Sequence, residues 1–488
     1  MIGRQEILEY AAEVGLEPNA VEKDYVLGWM LAGISQHPRT RDSWVFKGGT
    51  CLKKCYFETY RFSEDLDFTL LDGSHVAQEF LREAFNGIAQ WIYDESGIEL
   101  PDAARSIEIY ANPRGRNSAQ GRIGYRGPMQ RQGDLPRVRL DLTDDERLVR
   151  NGERRRVHHP YSDEPEGGTQ VLAYCFEEVF AEKLRALAER ERPRDLYDVI
   201  HLHRHETGAD RVAVREILSA KCEFKGIAVP SFAALGASAH HAALRADWEQ
   251  MLAHQLPQLP PFDAFWNELP AVFAWLETGP ARAQPPAMGS GRYEIDAAWR
   301  APAMASSWRA QGVTAPLEII RFAAANRLCV DLDYQDDQGR RGTRMIEPYS
   351  VRRTKAGELL LFAVRSQDGQ DRSYRVDRIL GARATKQTFS PRYLVELSTA
   401  GPVSAPEVSR PRSQAAPGSF ASSPRTPPRP RRASGGTGGF GQMKYVFQCP
   451  YCDKKFERKQ YDAALNPHKT KDGYPCPSRV GHYVETKY

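Results

Sequence analysis

The sequence predicts an α+β protein of three successive modules. Amphipathic helices and short alternating strands are interleaved over residues 1–280; one helix and a run of short alternating strands occupy 306–398; a small Cys/His-containing segment fills 444–488. At 488 residues the chain is too long for one hydrophobic core. Tracts rich in Pro, Gly, Ser and Ala, 281–305 and 399–443, fall where the pattern changes and read as linkers. Net charge is +4, from 67 basic and 63 acidic residues, so charge alone assigns no nucleic-acid partner. No apolar run is long enough to span a membrane, and the N-terminus lacks a signal-peptide core. Cys51, Cys55, Cys175, Cys222 and Cys329 are scattered among apolar neighbours, as in reduced thiols, so a cytoplasmic location without membrane contact is expected.

The most informative stretch is FKGGTCLKKCYFETYRFSEDLDF, residues 46–68. Gly48, Gly49 and Thr50 open a short helical segment, where glycines permit positive φ and close approach of backbone N–H groups to phosphate. The Thr50 hydroxyl is suited to donate to a phosphate oxygen. Asp65 and Asp67 follow on a strand pattern, so both carboxylates face one side and Leu66 and Phe68 the other. Two hard oxygen ligands opposite a glycine turn suit Mg²⁺ bridged to a triphosphate, and two such ions serve phosphoryl chemistry. The arrangement resembles that of polymerase-β-like nucleotidyltransferases. VDLDY at 330–334 also alternates, with Asp331 and Asp333, but no glycine turn precedes it at suitable spacing.

A third carboxylate is expected nearby. VRLDLT (138–143) alternates Val138, Leu140 and Leu142 against Arg139, Asp141 and Thr143, which makes Asp141 the candidate third ligand and general base; pairing with Arg139 or Arg137 is the plainer reading. In the helix pattern of 175–190, Phe176, Val179, Phe180, Leu184 and Leu187 form the apolar stripe, and Lys183 falls inside it. A β- or γ-phosphate and a local acid are both suitable partners for such a lysine. A further helix is expected from Pro193, where Asp195 and Asp198 either favour the helix dipole or belong to the site.

Taken in order, KGGT…RFSEDLDF, RLDLT and EEVFAEKLRAL…RPRDLYDV, with VEKDYVLGWML at 21–31, resemble the AbiEii/AbiGii family of bacterial abortive-infection toxins over residues 1–280. The resemblance implies a nucleotidyltransferase fold with a helical C-terminal half, NTP as substrate with Mg²⁺, and a cognate antitoxin. It also implies transfer to an RNA acceptor, the tRNA 3′ end. By the match Gly48, Gly49 and Thr50 hold phosphate, Asp65, Asp67 and Asp141 metal, Lys183 the triphosphate, and Asp198 stands at a further acid of the nucleotide site. A small-molecule acceptor, or a catalytically silent domain serving a nucleic-acid-sensing regulator, are the alternatives.

Twelve arginines crowd residues 114–156, either tracking an RNA backbone or decorating solvated hairpins. In the second module Tyr334, EPY (347–349) and YRVDRI (374–379) resemble a WYL domain, a Sm-like β-barrel of bacterial regulators, although Leu359, Leu360 and Leu361 replace the diagnostic triplet. Arg352, Arg353, Arg372, Arg375 and Arg378 there either meet an anionic ligand such as nucleic acid or are exposed strand charges. The tract 399–443 cannot bury enough apolar surface to order itself. The last module carries Cys449, Cys452, His468, Cys476 and His482, five candidates for the four positions of a Zn²⁺ site that so short a segment needs in place of a core.

Overall fold

Strict alternation in DLDFTL and RVRLDLT builds the centre of the first sheet. The computed structural model describes the chain outside residues 58–59, 113, 132, 206–208, 280–284, 300–315, 399–443, 450–453, 459–464, 467, 469–481 and 488. Strands β1 (Trp44–Lys47), β2 (Asp65–Leu70), β3 (Arg105–Ala111), β4 (Asn117–Gly124), β5 (Arg137–Thr143), β6 (Glu153–Arg156) and β7 (Gln170–Ala173) join in the order β3-β4-β5-β2-β1-β7-β6. The β2–β5 and β1–β7 pairs are parallel and the others antiparallel. Leu66, Phe68, Val138, Leu140 and Leu142 are buried on one face, while Asp65, Asp67 and Asp141 are half-buried on the other.

Helices α1 (Arg4–Val14), α2 (Pro18–Gln36), α3 (Gly48–Cys51), α4 (Gln78–Ser96), α5 (Phe176–Arg190), α6 (Pro193–Arg204) and α7 (Arg211–Lys225) complete the frame. The stripe expected on α5 is buried, Lys183 with it, and α6 starts at Pro193, whose fixed φ and missing N–H suit a first helical turn. Helix α2 is buried on nearly all sides, which accounts for its long apolar run. Its Asp24 is tolerated there because Lys54 Nζ lies 2.7 Å away and the Tyr161 hydroxyl 3.0 Å away.

The second module has a helix, Leu317–Ala325, and strands β8 (Leu328–Gln335), β9 (Arg341–Arg353), β10 (Leu359–Arg365), β11 (Gln370–Arg375) and β12 (Ile379–Thr388), antiparallel in the order β11-β10-β9-β8-β12. The run RSYRVDRIL reads as one strand in the sequence but is two. The turn Val376–Arg378 divides it, because β11 pairs with β10 whereas β12 crosses to β8. Residues 285–299, read as linker, lace onto this module: Arg353 meets Asp296 at 2.5 Å and Arg352 donates to the Met288 carbonyl at 2.8 Å. Helix α6 joins the two modules, since the Tyr197 hydroxyl donates to Asn326 Oδ1 at 2.9 Å and Arg204 Nη1 to the Ala325 carbonyl at 3.2 Å.

Residues Met1–Ser409 form one unit and Arg410–Tyr488 another. In the latter, β13 (Lys444–Gln448), β14 (Lys455–Arg458) and β15 (His482–Lys487) pair in the order β14-β13-β15, and Phe447, Cys449 and Leu465 are buried against Phe456. The Cys449 N–H donates to the Lys454 carbonyl at 2.9 Å. Cys452 and Cys476, like the 399–443 tract, lie outside the described residues, and His482 is described in its backbone alone. Among the described residues no helix is long and apolar enough to cross a membrane.

Candidate active site

The parallel β2–β5 register places Asp67 directly beside Asp141, with Asp65 beside Arg139 one step along the same face. Strand β1 adds Lys47 opposite Asp67. Gln120 of β4, opposite Asp141, donates from Nε2 to Asp141 Oδ1 at 3.1 Å and orients that carboxylate. Burial pushes the Asp67 carboxyl up to about 6; Lys47 opposes this, while Asp141 and Asp65 add to it. Burial likewise raises Asp65 against the pull of Arg139 and Arg194. Three carboxylates on one face of the β2–β5 pair thus crowd negative charge that a divalent cation would neutralise. Among the described residues no group of three or more His, Cys, Asp or Glu side chains is placed to hold a metal ion by itself. Mg²⁺ asks for none, because it is commonly held by one or two carboxylates with water and substrate phosphate completing the shell.

The glycine turn sits against these acids. Gly48 has φ +82°, and a Cβ there would lie 2.1 Å from Asp67 Oδ2, so only glycine lets the turn approach the carboxylate. A Cβ on Gly49 would lie 2.5 Å from Arg61 Nη2. The Thr50 hydroxyl, expected to meet phosphate, is fully buried and donates to the Asp65 carbonyl at 2.5 Å; it ties the turn to β2 instead.

Lys183 and Asp198 are brought together by the packing of α5 against α6. Lys183 Nζ lies 2.6 Å from Asp198 Oδ2 and 3.5 Å from Asp195 Oδ1. Arg61 grips Asp198 with both arms, Nε to Oδ1 at 2.7 Å and Nη2 to Oδ2 at 2.8 Å, and the Tyr60 hydroxyl also donates to it. Burial disfavours the ionised Asp198, but Arg61 and then Lys183 outweigh it and hold the carboxyl well below the usual range. With both oxygens engaged, Asp198 anchors Lys183 and Arg61. Lys47, Arg61, Gln120 and Arg194 were not singled out in the sequence. Arg61 and Arg194 stand inside the motif segments, yet only the fold reveals their partners. Arg194 lies within electrostatic reach of Asp65 and Glu64, and its buried Nε has no hydrogen-bond partner among the described residues.

In the second module the decoy acids are spent on structure: Asp331 pairs with Arg383 at 2.5 Å and Asp333 accepts from Thr343 Oγ1 at 2.5 Å. The arginines are committed too, Arg352 to Glu396, Arg353 to Asp296, Arg372 to Asp368, Arg375 to Glu358 and Asp377, and Arg378 to Asp337.

Residues 29–268 match the family described as nucleotidyl transferase AbiEii toxin, type IV toxin–antitoxin system, and residues 316–384 match the WYL domain. Among solved structures, MenT4, a nucleotidyltransferase toxin from Mycobacterium tuberculosis H37Rv, is 19% identical, with 57% of this chain and 90% of that chain covered at a TM-score of 0.40. An H. pylori protein described as a nucleotidyltransferase is 18% identical over 54% of this chain and 96% of its own, at a TM-score of 0.33. Proteasome accessory factor B/C of Arthrobacter aurescens is 16% identical over 44% and 32%, at a TM-score of 0.15. No curated protein matches the chain. The glycine turn set against aligned carboxylates lies inside the first of these matches: the chain is similar to the AbiEii nucleotidyltransferase toxin family over residues 29–268 and to the WYL domain over 316–384.

Proposed function

We propose that this protein is a toxin of a toxin–antitoxin pair that transfers a nucleoside monophosphate from an NTP to the 3′ hydroxyl of an RNA, the tRNA 3′ end, with release of pyrophosphate. The observation that carries the reading is the β2–β5 register, which sets Asp67 beside Asp141 on the face that also bears Asp65 and meets the Gly48 turn. Asp65, Asp67 and Asp141 would hold Mg²⁺, which when bound activates the attacking hydroxyl and neutralises charge on the triphosphate. Asp141, oriented by Gln120, accepts the hydroxyl proton as the new O–P bond forms and the bond to pyrophosphate breaks. Lys183, steadied by Asp198, and Arg194, with its unpartnered Nε, are the cations suited to the triphosphate. A cognate antitoxin is the partner that such a toxin requires.

Incubation with α-labelled NTPs, Mg²⁺ and deacylated total tRNA is expected to label RNA, and Asp65→Ala with Asp67→Ala to abolish the label. Undiminished labelling by that double variant would sink the metal assignment. Label in a low-mass product would move the acceptor to a small molecule, and no pyrophosphate release at all would leave a binding module.

The same reading gives the last module a structural Zn²⁺ on Cys449, Cys452, His468 and either Cys476 or His482. It rests on the buried Cys449 and on His468, whose Nδ1 faces the Asn466 carbonyl at 2.9 Å while its buried Nε2 has no hydrogen-bond partner among the described residues. Native mass spectrometry showing no zinc on the full chain would refute it.

A further inference from the structure

The arginine-dense stretch 114–156 divides sharply in the structure. Arg114 pairs with Asp145, Arg126 with Glu99, Arg154 with Asp42, Arg155 with Glu153 and Arg156 with Glu164, so these are spent within the fold. Arg122, Arg137 and Arg139 are exposed, and no ion pair of theirs is found among the described residues. All three alternate onto the carboxylate face: Arg137 and Arg139 share β5 with Asp141, and Arg122 shares β4 with Gln120. Arg122 and Arg139 are direct cross-strand partners, an arrangement of like charges that costs stability in a bare sheet. Asp65 lies across from Arg139 on the other side, so Arg122, flanked by Ser106, is the member of the pair with no acid opposite it among the described residues.

The cross-strand rows give the surface direction. One row runs from Asp65 through Arg139 and Arg122 to Ser106 at the β3 edge; the next runs from Asp67 through Asp141 and Gln120 to Glu108. A third row ends on Tyr110, 46% exposed, opposite Ser118. Three strand spacings, about 14 Å, separate Asp65 and Asp67 from β3, and two, about 10 Å, separate Asp141 from it. Glu108 repels phosphate from the middle row, so a backbone entering from the edge is steered onto the arginines. Tyr110 then lies on the far side of Glu108, where a base can stack.

We infer that the polar face of β3, β4 and β5 is the acceptor track: the single-stranded 3′ end of a polynucleotide crosses it with phosphates on Arg122 and Arg139 and a base on Tyr110, delivering its terminal hydroxyl to Asp141. The inference rests on the transfer reaction proposed above. It assigns the two contact types different signatures, since phosphate contacts respond to salt and stacking does not.

The test follows RNA labelling by the full chain against deacylated total tRNA concentration across a salt series, with half-saturation for NTP as the internal reference. Arg122→Ala is expected to raise half-saturation for tRNA about tenfold and to lower the salt slope by about 0.7, with Arg122→Lys recovering most of both. Tyr110→Ala is expected to weaken tRNA use about tenfold at unchanged slope, with Tyr110→Phe restoring it. If wild-type protein labels RNA while Arg122→Ala keeps the wild-type half-saturation and slope, the track is wrong and the reaction stands. A loss in Arg122→Ala without a change in slope also overturns the phosphate contact. If wild-type protein labels no RNA, the proposed reaction falls and the track with it.

Discussion

Asp67 is where the chemistry of this domain is most exposed to measurement. Its folded pKa of about 6 stands above the ordinary 3.8 because burial and the neighbouring Asp141 and Asp65 oppose its charge more than Lys47 and Lys183 support it. A raised folded pKa favours the protonated state, so the stabilising contribution is full below pH 3.8 and is lost as pH rises through about 6. At pH 7.5 the ionised carboxylate therefore costs on the order of 3 kcal/mol in the absence of a cation. Asp67→Asn is expected to melt higher than wild type in EDTA at pH 7.5, and Mg²⁺ is expected to raise the wild-type Tm more at pH 7.5 than at pH 5. Thermal melts over that range check both. Equal Tm values for Asn and Asp in EDTA would show that the carboxylates do not crowd one another.

At the scale of elements, α5 and α6 are held to the segment that leads into β2 by one buried acid. Asp198 on α6 joins Lys183 on α5 to Arg61 on the chain that leads into β2, and Arg61 Nη1 extends the link to Gln255 Oε1 at 3.0 Å. Removing one member leaves buried charge uncompensated. Asp198→Asn is therefore expected to lower unfolding stability by about 3–5 kcal/mol, read from denaturant midpoints. A variant that unfolds like wild type but shows a raised half-saturation for NTP would place Asp198 in the nucleotide site.

Across the whole of residues 1–398, the two modules share buried polar contacts rather than standing apart. Tyr197 lies next to Asp198 on α6, and its hydroxyl reaches Asn326 at the end of the WYL-domain helix. Asn326→Ala leaves that hydroxyl buried and unpaired, at a cost of about 1–3 kcal/mol. The loss is expected to be read by probes in the nucleotidyltransferase domain, such as the buried Trp29 and Trp44, although the substitution lies in the other module. Unchanged unfolding by those tryptophans would show that the modules melt independently.

The alternation of DLDFTL and RVRLDLT, the stripe of α5 and the proline at the start of α6 were legible because each depends on residues a few positions apart, where periodicity alone decides which face is buried. The same local logic placed Asp65, Asp67 and Asp141 on strand faces, but it could not say that β5 runs beside β2 in the register that sets Asp141 against Asp67. That register is a pairing across more than 70 residues. Partner choice escaped the sequence for the same reason. Lys183 suited a phosphate or an acid equally, and tertiary packing brought Asp198 to it. Thr50 carried a hydroxyl fit for phosphate, and the fold committed it to the Asp65 carbonyl. Among the crowded arginines, composition showed only a basic stretch. Which of them meet acids and which stay exposed on the carboxylate face was decided by strand pairing, because a charge is spent or spared only by what the fold sets across from it.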